Sequence, residues 1–473
     1  MNIPANAKTQ TISGEKYVFI DTPYWNAEKH RGEHKRRYIG KIVEGQFVPN
    51  GRYLLSLEKS GTIKPGPVPV TECKRQFYGA TYLLDQIGDK LGIVDDLKAS
   101  FPDKYKQLLS LAYFFVLEEG MSAYRLRKWA LTHNHPYGRD IPSQRISDLM
   151  GSIDEASKMN FFRRQARRRA EKEFLAFDTT SISSYSELIK FAKYGKNKEG
   201  DHLPQINLAL LYGEVSRLPV YFRKLTGNTA DVSLIRNLML DIDFLDMKKL
   251  SFVMDRGFYS EKNINDLMKH HHKFLIGIRC GLKIARKHLD EVRGEQLVSW
   301  ENYHDDVGLY AMSFSDEWDY REEHPRTGKC ICDKRRVYVH IYFNDQRCTD
   351  ERLSFAKYLT CLQDELKSGR KTEGHLKDYD KYFVVSETLK KGLHIIPNGD
   401  AIREHQRDFG YFVLLSNGIK DPEEAINLYR VRDLIEKAFA NLKERLDMRR
   451  MSVSSSENFE GKLFVQFLAL IYL

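Results

Sequence analysis

Phe174-Leu175-Ala176-Phe177-Asp178-Thr179-Thr180-Ser181 reads as a short apolar strand closed by a carboxylate. Phe252-Val253-Met254-Asp255-Arg256-Gly257 repeats that pattern further along the chain. An acid placed where a buried strand emerges is held rigidly and still meets solvent. Asp is also favoured in turns and at helix caps, so either residue alone reads as readily as an ordinary strand-end turn.

A third acid alters that balance. One helix is expected from Pro422 to about Arg450, with Leu428, Val431, Ile435, Ala438, Leu442 and Leu446 as its apolar stripe. Tyr429, Arg432, Glu436 and Lys443 follow one another at intervals of three, four and seven, so they form a second stripe beside the buried one. Such a row is also what a solvent-exposed salt-bridge ladder looks like, and a ladder contributes little. A ladder does not account for the tyrosine, nor for the two strand-end aspartates that precede it.

Three carboxylates within a few ångströms repel one another by several kcal/mol at an effective dielectric of about 20, so Asp178, Asp255 and Glu436 together call for cations. Hard oxygen ligands with open positions suit Mg2+ or Mn2+. Two such ions roughly 3.5–4 Å apart stabilise both the attacking and leaving oxygens of an in-line phosphoryl transfer. Arg432 and Lys443, on the stripe that carries Glu436, are then placed to hold phosphates.

Outward from these acids, strands are expected at Ile206 to Tyr212, Pro219 to Leu225, Leu250 to Met254, Phe274 to Ile278 and Tyr411 to Leu415. From Cys280 to about Asp400 the text is polar and β-rich, with Trp300 and Trp318 either filling a small β core or serving as stacking platforms for displaced bases. From Ala80 to Lys172 the period is helical and ends in five arginines, Arg163, Arg164, Arg167, Arg168 and Arg169, a DNA-contacting face or simply a solvated one. Residues 16 to 54 alternate like a small β module around the basic cluster Lys35-Arg36-Arg37, and Lys64 to Pro69 is a stiff linker.

At 473 residues the chain is long enough for several domains, and its balance of 75 Lys+Arg against 65 Asp+Glu, net +10, suits a polyanionic partner. Six cysteines in this length do not make a disulfide framework, and no export signal opens the chain, so a reducing cytoplasm is expected. Cys330 and Cys332, with His324 nearby, lack the second pair that zinc spacing requires. The apolar run Leu463 to Leu473 is too short to span a bilayer and reads as a buried helix.

With these residues in hand, the chain resembles the insertion-sequence DDE transposases of the branch whose helix signature is Y-x2-R-x3-E-x6-K, here Tyr429, Arg432, Glu436 and Lys443. Asp178 in FDTTS, Asp255 in DRGFYS, and Thr226-Gly227-Asn228-Thr229-Ala230-Asp231 are similar to the other motifs of that branch, as more loosely is Ile39-Gly40-Lys41 followed by Pro49-Asn50. The resemblance implies an α/β fold: an RNase H-like core, a mixed five-stranded sheet with helices, interrupted by a β-rich insertion domain between the second and third acids. Segments follow as 1–70 (β module and linker), 71–172 (helical, DNA-binding), 173–279 and 401–473 (core), and 280–400 (insertion).

It also implies catalysis and metal binding by Asp178, Asp255 and Glu436 with two Mg2+ or Mn2+ ions. Tyr429, Arg432, Lys443 and the arginine run would contact DNA. The reaction would be cleavage at the ends of an insertion sequence, in some relatives through a hairpin, and strand transfer into target duplex DNA, by a dimer in a nucleoid-associated setting. The stop at Leu473 leaves little room for the C-terminal dimerisation region of some relatives. Two other readings share the same acids: an RNase H-like structure-specific nuclease without strand transfer, and a transposase-derived DNA-binding protein that has lost catalysis.

Overall fold

The computed structural model describes residues 2–26, 29–60, 75–169, 173–186, 189–195, 202–229, 234–323, 330–388, 392–451, 453 and 455–473. Two compact units divide the chain, Met1–Arg75 and Gln76–Leu473.

In the first unit, β1 (Ala7–Ile12), β2 (Glu15–Asn26), β3 (Arg31–Val43) and β4 (Gln46–Pro49) form an antiparallel sheet in that order. Val18, Ile39 and Phe47 make its small core. The linker Lys64 to Pro69 lies outside the described residues.

The second unit is built on β5 (Phe174–Ser184), β6 (Gln205–Gly213), β7 (Pro219–Thr226), β8 (Ser251–Met254), β9 (Lys273–Ile278), β10 (Tyr303–His304), β11 (Leu309–Glu323), β12 (Cys330–Phe343), the hairpin β13 (Phe383–Thr388) and β14 (Gly392–Pro397), β15 (Tyr411–Ser416) and β16 (Arg450–Met451). The order across the main sheet is β10-β11-β12-β15-β9-β8-β5-β6-β7, with β16 paired to β5. That makes ten strands rather than the five expected, because β10, β11 and β12 extend the sheet through β15 instead of closing a separate β domain. Residues 280–400 are also less purely β than their text suggests: they hold the 24-residue helix Asp345–Ser368, whose stripe of Phe355, Leu362 and Leu366 packs with Tyr379 and Tyr382.

β5, β8 and β9 run parallel at the centre, and their near-continuous apolar text reflects burial on both faces. The helix Glu155–Arg169 packs on β7, and the helix Ser456–Tyr472, buried from Phe459 onward except for Glu460, packs against the helices Tyr105–Leu117 and Ser143–Gly151. Gly461 permits that crossing: a Cβ there would come within 2.1 Å of the Met150 carbonyl oxygen. Among the described residues no helix is long and apolar enough to cross a membrane.

The helix expected from Pro422 to Arg450 is divided. It runs as Pro422–Arg430, passes Val431 and resumes as Arg432–Ala440. It then loosens into a π-helical turn, Asn441–Arg445, before β16. Asp421 starts it by accepting the Glu424 N–H at 2.8 Å, with Pro422 at the first position.

Candidate active site

The two aspartates are placed by strand register. β5 and β8 pair in parallel from Phe174↔Ser251 to Phe177↔Met254, so Asp178 and Asp255 are the residues that directly follow the last pair of that ladder. β8 and β9 pair up to Met254↔Ile276, and Gly277 directly follows in the same way. Asp178 does not end its strand as expected. β5 continues to Ser184 because it stays paired with β6 on its other side, and only the parallel ladder stops at the acid. Asp255 leaves β8 in extended geometry and caps the short helical turn Arg256–Phe258, accepting the Arg256 N–H at 2.7 Å.

The divided helix supplies Tyr429, Arg432 and Glu436. The Tyr429 hydroxyl donates to Asp255 Oδ1 at 3.1 Å. Arg432 Nη1 donates to the same oxygen at 3.0 Å and to the Tyr429 hydroxyl at 2.9 Å, while its Nη2 donates to Glu436 Oε1 at 2.8 Å. The guanidinium therefore bridges two of the three acids. Burial works against the charge on Arg432, yet Tyr429, Asp255 and Asp178 together hold it above its ordinary range. Burial, opposed by Arg432, pushes the Tyr429 phenol up to about 12, so it stays a donor at neutral pH. Arg432 Nε is buried and has no hydrogen-bond partner among the described residues. Lys443 sits in the π-helical turn rather than on a continuous α-helical stripe, so the looser winding changes its bearing relative to Glu436.

Among the described residues no three Asp, Glu, His or Cys side chains are gathered as a metal cluster. The donor set nevertheless fits a hard divalent cation. The protein bonds to Asp255 fall on Oδ1, its Oδ2 has none among the described residues, and Arg432 already supplies positive charge between Asp255 and Glu436.

Sequence reasoning did not find Gly277, although a glycine ending an apolar strand was a readable sign. A cleft of about 920 Å³ opens beside Asp255, lined by Asp255, Arg256, Arg279, Tyr429 and Arg432 on one side and by Arg347 and Tyr358 of the helix Asp345–Ser368 on the other. Residues from the 280–400 segment thus line the cleft beside Asp255.

The arginine run on the helix Glu155–Arg169 divides. Arg168 makes a two-point bond to buried Asp96, both contacts at 2.8 Å, and packs over Gly92. Arg169 is buried, bonding Gln165 and the Leu91 carbonyl. Both are engaged within the protein alone, Arg168 by a buried carboxylate and Arg169 by Gln165 and a half-buried carbonyl. Arg163 reaches the Phe244 carbonyl at 3.1 Å and Arg167 reaches Asp246 at 3.4 Å; Arg164 is exposed.

Trp318 is buried and donates to Asn265 Oδ1 at 2.8 Å, whereas Trp300 is 82% exposed. Cys330 and Cys332 lie exposed with sulfurs 3.6 Å apart; His324 lies outside the described residues. Gly227 of the fourth motif accepts from Gln205 Nε2 at 2.9 Å, while Ala230 and Asp231 lie outside the described residues.

Fold and site together define an acid-centred cleft at the carboxyl ends of parallel strands, where open α/β sheets bind their ligands. The family model "Transposase DDE domain" matches residues 169–472, more than half of the chain. The chain belongs to that DDE transposase family. No curated protein matches it. Among solved structures it is similar to a piggyBac transposase synaptic complex with hairpin DNA, at 12% identity and a TM-score of 0.37, covering 82% of this chain and 65% of that one. A second is a Mos1 transposase paired-end complex with the left transposon end, at 11% identity and a TM-score of 0.16, covering 55% and 79%. The chain thus spans less than two-thirds of the length of the first of these.

Proposed function

We propose that this protein is a DNA transposase of the Y-x2-R-x3-E-x6-K branch, with an RNase H-like core in residues 173–279 and 401–473 that the segment 280–400 interrupts. It cuts at the ends of an insertion sequence and joins the freed 3′-hydroxyl to target duplex DNA, two copies working on paired ends. The observation that carries the reading is Asp178 and Asp255 at the end of one parallel ladder, with Arg432 bridging Asp255 to Glu436.

Asp178, Asp255 and Glu436 would hold Mg2+ or Mn2+. Bound there, the cations supply Lewis acidity, lowering the pKa of the attacking water or 3′-hydroxyl and steadying the leaving oxygen. Arg432 neutralises the acids in the protein alone, and its Nε, unpartnered among the described residues, is turned to account as a phosphate donor when DNA enters. Tyr429 orients Asp255 through Oδ1 and keeps Oδ2 aimed into the cleft. Lys443 and the outward arginines Arg163, Arg164 and Arg167 grip backbone phosphates, and exposed Trp300 stacks on a base near the cut end.

A pre-cleaved end carrying a free 3′-hydroxyl tests the reading. Incubated with supercoiled plasmid and Mg2+, the full chain should give joined products. Nicking of uncut ends without any joining would make it a structure-specific nuclease instead, and binding without either reaction would make it a DNA-binding relative that has lost catalysis.

A further inference from the structure

The basic cluster Lys35-Arg36-Arg37 plays no part in the site described above. Residues 1–75 hold 13 Lys and Arg against 7 Asp and Glu, giving +6 of the chain's net +10 in one small unit. Within that unit the β2–β3 hairpin outgrows its neighbours. β1 pairs β2 only from Glu15 to Ile20, and β4 pairs β3 only from Gly40 to Val43. Asp21–Asn26 and Arg31–Arg36 are therefore paired only with each other, as a two-stranded antiparallel ribbon of roughly 20 Å, and Arg37 stands at its base opposite Ile20.

An isolated ribbon of this kind is marginal in water, and its side chains show what steadies it. Glu33 accepts from Tyr24 at 2.9 Å, Asn26 at 2.9 Å, Lys29 at 3.3 Å and Arg31 at 2.9 Å, while Asp21 takes Lys8 at 3.2 Å and His34 at 3.3 Å. Glu33 is thereby matched by donors on both oxygens, and Asp21 is matched through its Oδ2. Lys35 and Arg37, two residues apart and so on one face, have no side-chain partner among the described residues. Arg36, on the other face, donates to the neutral Gln10, lies over the Phe19 ring and acts on Asp21 opposite it by charge alone. Trp25 is 66% exposed at the far end.

We infer that this ribbon enters the major groove of duplex DNA, whose width of about 12 Å admits a two-stranded β-ribbon. Lys35 and Arg37 meet the phosphates along one wall of the groove, Arg36 faces the other, and Trp25 leads along it. The inference rests on the transposase reading for the choice of DNA, and it adds a contact surface far from the acids in the text of the chain.

The test uses full-length protein, a fluorescent duplex and a salt series. Lys35→Ala/Arg37→Ala should weaken duplex binding about tenfold and lower the salt slope by about two, and Lys35→Arg/Arg37→Lys, which keeps both charges, should restore it. Methylation of guanine N7, on the major-groove edge, should interfere with wild-type binding and not with that of the alanine variant. An unchanged slope in a folded alanine variant, or an equal loss on single-stranded DNA, would overturn the inference. Failure of strand transfer in wild type with ribbon-dependent duplex binding intact would count against the transposase reading alone.

Discussion

Gly277 lies directly beneath the Tyr429 hydroxyl: a Cβ on this glycine would stand 2.8 Å from that oxygen. It would also come within 3.2 Å of the Arg256 nitrogen, whose N–H holds Asp255 Oδ1. The missing side chain is thus what allows the phenol to reach the carboxylate from above. Gly277→Ala should displace Tyr429 and cost about 1–3 kcal/mol of stability by crowding, with DNA cleavage falling roughly a hundredfold because a misplacement near 1 Å is felt at a reacting centre. Tyr429→Phe should keep the fold and lose about tenfold, the worth of one hydrogen bond. Cleavage rates beside urea midpoints check both; a Gly277→Ala enzyme as active as wild type would mean the phenol does not position Asp255.

Arg168 and Arg164, neighbours in one arginine run, should answer opposite assays. Arg168→Ala leaves Asp96 buried, with Gln165 as its remaining side-chain donor, and should cost about 1.5–3 kcal/mol in denaturant unfolding. Its DNA salt slope should change little. Arg164→Ala should leave stability within about 0.5 kcal/mol and lower the slope by about one. A salt-slope change confined to Arg168→Ala would reverse this assignment.

Two buried histidines should make the fold acid-sensitive. Burial pushes His340 and His272 down to about 4, and each has a ring Nε2 without a partner among the described residues. The unfolded chain takes up their protons near the ordinary pKa of about 6.5, ahead of the folded protein. The stability they contribute is therefore complete above that value and is lost as pH falls from about 6.5 towards 4, by up to about 1.4 kcal/mol per pH unit for each. Urea midpoints between pH 7 and 4.5 should decline less steeply in His340→Gln than in wild type. Parallel declines would mean that His340 is not protonated on unfolding in this window.

Strand text carried most of the core. The apolar runs at Phe174, Ile206, Pro219, Phe252, Phe274 and Tyr411 are all strands of one sheet, because burial on both faces leaves little room for polar alternation. Tyr429, Arg432 and Glu436 were legible for a similar reason, since spacings of three and four survive the interruption at Val431, which keeps helical geometry. Lys443 was less so, because a π-helical turn is not visible in a spacing of seven. Register is a long-range property. Nothing in the text of β10, β11 and β12 says they join the central sheet through β15, nor that Asp178, Asp255 and Gly277 directly follow the last pairs of adjoining ladders. The arginines and tryptophans show the same limit: Arg168 and Trp318 resemble Arg164 and Trp300 in sequence, and tertiary partners alone separate them.

In the proposed transposase, Asp178, Asp255 and Glu436 act as one cation-holding set. The most direct measurement pairs Mn2+ titration calorimetry with end cleavage for Asp178→Asn, Asp255→Asn and Glu436→Gln. All three should weaken Mn2+ binding and lower cleavage by more than about a hundredfold while duplex binding persists. Any one of the three cleaving at the wild-type rate with wild-type Mn2+ affinity would contradict it.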